Sequence, residues 1–255
     1  MNKDVIRQWA NMLAIIATIV VNGLANALPL NNQSTGEISD RFLVYFVPAG
    51  YVFAIWGLIY LGLLAFGIYQ ALPAQRENPR LRKVGYLFVL SCAANIIWLF
   101  LWHYNYFVLT LVAMITLLVC LIMIYERLGN GRLKVSAAEF WASQVPFSIY
   151  LGWVTVATIA NFTDVLYDVG WNGFGIDPQV WAVIMLFVAL VVGALMAWRR
   201  GDAAYLLVLV WAFAGIGVKQ AAVPLVAYSA WAAAVLALIE AGVALWRRPR
   251  LLRSV

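Results

Sequence analysis

The chain has 255 residues, of which 65% are hydrophobic, 15% aromatic and only 11% charged, and its formal net charge is +6. Globular proteins carry about a quarter charged residues, so this chain has too few to cover a water-facing surface. The composition therefore excludes a soluble enzyme of ordinary type. Only helix bundles and closed barrels span lipid, and barrels alternate polar with apolar residues, whereas this chain stays apolar for about 20 positions at a time. We predict an all-α fold, a polytopic transmembrane helix bundle.

Apolar runs bounded by charge, proline or glycine predict eight membrane-spanning helices with short loops. The third and fourth runs are separated only by His103-Tyr104-Asn105. A single helix over 84–125 would be about 63 Å long, twice the thickness of the hydrocarbon core, so we expect a tight hairpin there. In chain order the predicted spans are 9–29, 45–72, 84–103, 106–125, 137–161, 179–198, 203–220 and 224–246.

The basic residues alternate between the two sides of these spans. With the N-terminus in the cytoplasm, fifteen Lys and Arg residues lie in inner segments and only Arg41 and Lys219 in outer ones. Cytoplasmic loops of membrane proteins carry this excess, whereas the outer loop 162–178 is acidic. We predict eight helices with both termini cytoplasmic, in the cytoplasmic (inner) membrane of a bacterial-type cell. Because topology accounts for the positive charge, we infer no nucleic-acid partner.

Aromatic and amide side chains recur on one face of three predicted helices, in the outer half of the membrane. Trp56 and Tyr60 are four residues apart, and Asn95 and Trp98 are three apart, spacings that place side chains on one helix face. Such stripes reflect packing more often than a ligand pocket, and buried amides also bond neighbouring helices. Periodicity alone leaves both interpretations open.

Three motifs resemble signatures of the TspO/MBR family, the tryptophan-rich sensory or translocator proteins. They occur in the family's order and cover about residues 9–163. Residues 47–56, continuing to Tyr60, resemble the helix 2 signature; Asn95-Ile96-Ile97-Trp98 resembles Asn-x-x-Trp in helix 3; and Pro146, Trp153, Ala157 and Asn161 resemble the helix 5 pattern.

The resemblance implies a five-helix bundle with a cavity in one half of the membrane, covered by the loop between helices 1 and 2, that binds porphyrins and related hydrophobic ligands. No cofactor is then required, and a porphyrin or haem is expected as a ligand. Residues 30–44 form the expected lid, in which Asp40 and Arg41 either steer an acidic ligand or are simply solvated. The expected ligand-binding residues are Phe53, Trp56, Tyr60, Asn95, Trp98, Trp153, Ala157 and Asn161.

The sequence also departs from the family pattern. Pro48-Ala49-Gly50-Tyr51 stands where the family has Pro-Pro-Gly-Trp, and residues 161–168, where a sterol-type motif is expected, lack its basic residue. Cholesterol is therefore not predicted. Three helices follow the five-helix pattern, so we divide the chain into a TspO/MBR-like unit, 1–163, and a transmembrane extension, 164–255. Small residues in helices 7 and 8 permit close packing within the chain or in a homodimer.

Two ionisable residues lie outside these motifs. Glu240 is about 10 Å along helix 8 from Arg247, a depth at which an acid is a functional candidate because burying its charge costs several kcal/mol. If Glu240 has no function, it is protonated, or its side chain reaches the inner membrane interface or a polar group on helix 6 or 7. His103, in the outer hairpin, is expected to be an interfacial residue rather than a haem ligand.

Three functions are considered for a membrane protein with this sequence. The first is a membrane receptor or sensor that binds a tetrapyrrole or similar ligand in the outer-half cavity. The second is a transporter of small hydrophobic or amphipathic solutes, for which Glu240 and the intramembrane asparagines would serve. An enzyme is less favoured, because we find no catalytic or metal-binding motif within the spans, and Cys92 and Cys120 fit as small packing residues.

Overall fold

A computed structural model describes residues 2–28 and 30–252, and within these ranges the chain is helical, with no β-strand. Six long helices of this described part have the length and hydropathy needed to cross a membrane. Two further apolar helices have 17 residues each, which is about 26 Å and near the lower limit for a span. The helices are α1 (Lys3–Ala27), α2 (Ile55–Ala71), α3 (Leu87–His103), α4 (Phe107–Leu128), α5 (Val145–Asp168), α6 (Pro178–Arg200), α7 (Ala203–Lys219) and α8 (Pro224–Leu251).

Local sequence explains where several of these helices begin and end. Proline opens α6 and α8, at a position where its missing N–H leaves no hydrogen bond unmade. Gly129 and Gly201 end α4 and α6 with positive φ angles of 71° and 59°, which glycine adopts without strain. The α3–α4 connection is the tight hairpin expected from the sequence, with Asn105 at φ 63°.

Several helix boundaries differ from the predicted ones. A tight 3₁₀ turn, Gly50–Ala54, precedes α2, and a short helix, Pro79–Val84, precedes α3 and ends at Gly85, whose φ is 55°. Residues 162–168, predicted as outer loop, instead continue α5 to Asp168. The helix continues because neither glycine nor proline occurs in this stretch, and it stops just before Gly170.

A continuous apolar core joins the first five helices to the last three. Phe66 in the second half of α2 is buried against Phe88 and Phe147 in the first turns of α3 and α5, with ring centroids 4.9–5.9 Å apart in edge contacts. On another face of α5, the absent side chain of Gly152 lets the backbone of Tyr205 on α7 approach. Buried alanines of α8 belong to the same core. The division at residue 163 and the homodimer stay predictions.

Ion pairs connect the basic segments at one end of the bundle, which we call the basic end. Arg82, before α3, binds Asp4 of α1 at 2.6 Å. Arg200 at the end of α6 binds Glu126 of α4. Tyr125 and Ser148 both donate to the Asp202 carboxylate, at 2.7 and 2.6 Å, and tie α4 and α5 to the start of α7. The opposite end, which carries residues 30–42, is called the lid end.

We expect Gly215→Ala to destabilise the protein by about 1–3 kcal/mol, the usual cost of overpacking. A Cβ at Gly215 would overlap the buried Val52 side chain and contact Pro48 at 3.2 Å, at a point where the Ala49 N–H donates to the Gly215 carbonyl at 3.1 Å. Thermal unfolding in detergent measures the effect. Gly242→Ala on α8, where a Cβ meets nothing within 4 Å, is the matched control and is expected to be neutral or stabilising.

Candidate functional site: an aromatic cavity beneath a lid

The structure brings most of the predicted binding residues together around a small cavity of about 50 Å³ at the lid end. The cavity lies between the entry to α2, the outer parts of α3 and α5, and the segment that covers them. Phe53, Trp56, Trp98, Trp153, Ala157 and Asn161 are among its lining residues. Motifs that are separate in sequence therefore converge at one site.

The aromatic rings of the cavity contact one another. Trp153 meets Phe53 edge to face at 5.8 Å and Trp56 at 6.3 Å. On the opposite wall, Trp98 is stacked on Trp102 at 5.5 Å with an interplanar angle of 19°. Flat faces and edges of this kind are suited to a planar apolar ligand.

Asn161 fixes one wall of the cavity through hydrogen bonds. Its Oδ1 accepts from the Trp98 indole N–H at 3.2 Å, and its Nδ2 donates to Thr110 Oγ1 at 2.9 Å. The amide thus joins α3, α4 and α5. Trp98 is held in a defined orientation before any ligand arrives.

Two predicted binding residues lie behind the cavity wall instead of on it. Tyr60 is stacked on Trp56 at 5.5 Å, one helical turn deeper. Asn95 is buried, accepts a hydrogen bond from Asn22 at 2.9 Å and donates to the Tyr150 hydroxyl at 3.1 Å. These contacts hold the wall in place, so Tyr60 and Asn95 support the cavity wall from behind.

The segment 30–42 forms a folded cover, which we call the lid. Its helix Thr35–Ser39 has a complete capping box, in which hydrogen bonds from Ser34 hold the pKa of Glu37 below its usual range. Ile38 and Phe42 are buried against Trp102 and Phe107 at the ends of α3 and α4. The lid is therefore packed on the bundle by apolar contacts.

His103 fastens the lid to α3. Expected at the surface, it is 0% exposed, because the lid folds over it. Its Nε2 lies 3.1 Å from Thr35 Oγ1 and its Nδ1 lies 3.2 Å from the Leu30 carbonyl oxygen. Both ring nitrogens are engaged by the lid, so this arrangement leaves neither for a haem iron.

Asp40 and Arg41 fasten the far edge of the lid. The Asp40 carboxylate binds the Lys219 ammonium of α7 at 2.6 Å. Arg41 donates to Asn105 Oδ1 at 2.6 Å and lies over the Phe107 ring at 5.7 Å. Steering of a ligand by these residues stays a prediction, while their observed contacts close the lid.

A family model described as TSPO-like protein matches residues 8–243, almost the whole chain. The chain belongs to the TSPO-like protein family. The match continues past residue 163 and includes α6, α7 and most of α8. No curated protein and no solved structure matched the chain.

Several lining residues of this TSPO-like cavity, among them Trp102 and Asp164, were not predicted from the sequence. Asp164, assigned to an outer loop, lies on α5 and is 3% exposed, and Trp102 is buried beneath the lid. Asp164 follows Asn161 by three residues and Trp153 by eleven, both spacings that return to the same helix face. Extending the α5 stripe by one turn would have found Asp164.

Glu240 lies away from the cavity. Its half-buried carboxyl group faces Gly193 of α6, where a Cβ would come within 2.6 Å of Oε2. Leu206 and Leu209 of α7 border the same spot, and Oε2 has no hydrogen-bond partner. Within residues 2–28 and 30–252, no three His, Cys, Asp or Glu side chains form a group that could hold a metal ion.

A larger groove of about 660 Å³ lies on the other face of α5. It is lined by residues 43–46, the last turns of α5, the loop 171–176 and the start of α6, with no charged side chain among its described lining residues. The cavity and the groove use opposite faces of α5, with Ala157 in the first and Thr163 in the second. The TSPO-like chain thus has two apolar spaces at its lid end.

We expect His103→Ala to loosen the lid, because it removes the polar partners of Thr35 and Leu30. Loss of two such bonds lowers the free energy of local opening by about 1–3 kcal/mol. Hydrogen exchange of the Ile38 and Asp40 amides, which bond only within the lid, is then expected to accelerate about tenfold or more. The control is Tyr104→Ala at the exposed neighbouring position; equal exchange in both variants would show that His103 does not fasten the lid.

Proposed function

We propose that the chain is an integral membrane binding or sensor protein of the TspO type, which takes a porphyrin, another tetrapyrrole or a similar hydrophobic ligand in the cavity under the lid. The observation that carries this proposal is the convergence of Phe53, Trp56, Trp98 and Trp153 around one small cavity. Membership of the TSPO-like family supports it. Aromatic faces stack on a flat ring, and the adjoining polar groups fix its orientation.

Binding of such a ligand requires the cavity to open. A space of about 50 Å³ is well below the roughly 300–1,000 Å³ typical of small-molecule sites. The lid supplies the movement, because its polar attachments to the bundle are side-chain contacts that break without unfolding a long helix. Release of the lid would free Trp102 and expose the Trp98 ring.

The packing at the deep end of the cavity favours ligand binding over transport of a solute through the bundle. Tyr150 packs against Trp56 at 6.0 Å beneath it, and the buried Phe66, Phe88 and Phe147 cluster fills the bundle. A transporter requires polar access from both membrane faces. Glu240, the acid on which the transporter alternative depends, lies on α8 among residues of α6 and α7.

We further propose that all eight helices cross the cytoplasmic membrane of a bacterial-type cell, with both termini in the cytoplasm. The ion-paired basic end then faces the cytoplasm and the lid end faces outward. The excess of Lys and Arg at one end supports this orientation. The 17-residue α3 and α7 are long enough when they cross with little tilt.

Single cysteines test the orientation. Asp168→Cys is expected to react with a membrane-impermeant maleimide added to intact cells, whereas Lys134→Cys is expected to react only after permeabilisation, because the two exposed positions lie at opposite ends of the bundle. The background replaces Cys92 and Cys120, both buried and free, with alanine. The reverse labelling pattern would invert the topology.

Two substitutions on opposite faces of α5 test the binding site. Ala157→Phe fills the cavity and is expected to reduce the affinity for protoporphyrin IX at least tenfold, which corresponds to about 1.4 kcal/mol. Thr163→Phe, the matched control, fills the groove and is expected to leave the affinity unchanged. Quenching of tryptophan fluorescence in nanodiscs measures both affinities.

If Thr163→Phe abolishes binding and Ala157→Phe does not, the ligand occupies the groove and the cavity assignment is wrong. Trp9→Phe, an exposed position on α1 at the basic end, controls for loss of fluorescence signal alone.

A further inference from the structure

Two buried polar atoms in the cavity have no hydrogen-bond partner. They are the indole Nε1 of Trp153 and the carboxyl Oδ1 of Asp164, on side chains that are 2% and 3% exposed. An unpaired buried polar group costs about 1–3 kcal/mol, and more when it is charged. Asn161 and Trp98 beside them are already bonded to each other at 3.2 Å. The unmet hydrogen-bonding capacity is thus confined to one donor and one acceptor.

These two atoms belong to side chains at opposite ends of the cavity. Trp153 and Asp164 are eleven residues apart on α5, which is about 16 Å along the axis and nearly the same helix face. Ala157 and Ala160 lie between them and also line the cavity. The α5 wall therefore has a donor at the deep end, an acceptor at the lid end and two small side chains between them.

The lid end is polar and acidic. Thr35 and Ser39 of the lid line the same cavity as Asp164. Lys219 is close enough to act on the Asp164 carboxyl electrostatically, but its ammonium is 2.6 Å from the Asp40 carboxylate. An amine brought to this end by a ligand would find an acceptor in the Asp164 carboxyl group and would favour its ionised form, whereas a ligand carboxylate would favour the protonated acid.

We propose that the cavity selects hydrophobic ligands that carry a basic amine, with the ammonium bound to Asp164 beneath the lid and a hydrogen-bond acceptor directed at Trp153. This inference rests on the proposed function, because it assigns the ligand class of the same cavity. Pairing with an ammonium compensates the buried carboxylate, and aromatic faces next to the charge add cation–π attraction. An anionic ligand is accepted only if its carboxylates project away from Asp164.

A matched pair of porphyrins tests the ligand class. One is protoporphyrin IX, with two propionates; in the other, each propionate is amidated with ethylenediamine and ends in an ammonium group. We expect the wild-type protein to bind the diamine more tightly. Asp164→Asn, which conserves size and removes the charge, is expected to weaken diamine binding about tenfold while leaving protoporphyrin binding unchanged or stronger.

The ratio of the two affinities is measured within each protein, so partial misfolding does not imitate the effect. Asp164→Glu, which restores the carboxyl group, is expected to keep the preference for the diamine. Asp168→Asn, one turn later and exposed, controls for general surface charge.

The two proposals fail in different ways. If both porphyrins bind but Asp164→Asn leaves their ratio unaltered, Asp164 is satisfied by water and the amine preference is wrong, while ligand binding stands. If the wild-type protein binds neither porphyrin, the proposed function fails and the ligand class fails with it.

Discussion

Hydrocarbon offers no partner to a buried polar group, and this constraint accounts for the polar contacts inside the bundle. Asn95 is bonded to Asn22 and Tyr150, Asn161 to Trp98 and Thr110, and each amide joins two or three helices. At the basic end, the Asp202 carboxylate accepts hydrogen bonds from the hydroxyl groups of Tyr125 on α4 and Ser148 on α5. Some buried polar atoms of the described residues nevertheless have no partner, and two of them, on Trp153 and Asp164, belong to side chains that line the cavity.

The lid extends the same constraint to the membrane surface. Its inner side contributes apolar residues to the cluster around Trp102, while its ends are held by the side chains of His103 and Lys219. A cover held by a few polar contacts and a small apolar patch opens at far lower cost than a transmembrane helix moves. The structure therefore combines an aromatic wall on α3 and α5 with a cover held by few contacts.

One of the last three helices, α7, contacts both the entry to α2 and the lid. The Gly215 carbonyl of α7 accepts from Ala49, just before the turn that carries Phe53, and Lys219 pairs with the lid. The position of the α2 entry thus depends on a helix outside the five-helix pattern. The family match over residues 8–243 includes α6, α7 and most of α8.

Much of the site could be predicted from the sequence, because depth and helix face follow from distance along an apolar run and from spacings of three and four residues. Those rules placed Trp56, Trp98, Trp153 and Asn161 in the outer half of three helices and placed the hairpin between α3 and α4. The resemblance to the family motifs then assigned these side chains to a ligand site. They do not tell which helix faces meet. Asn95 shares a stripe with Trp98, yet it serves as a support behind the wall because Asn22 and Tyr150 meet it there.

Residues near the membrane surface were the hardest to assign from sequence. From the sequence, His103 was expected at the interface and Asp164 in a loop, but both are buried at the lid end, as is Trp102. The sequence by itself determined an all-helical membrane bundle with a charge asymmetry and an aromatic stripe on each of three helices. Only the tertiary structure decided that these stripes enclose a cavity and that an acid lies within it, because burial there comes from a segment distant in sequence, whose contacts no local periodicity encodes.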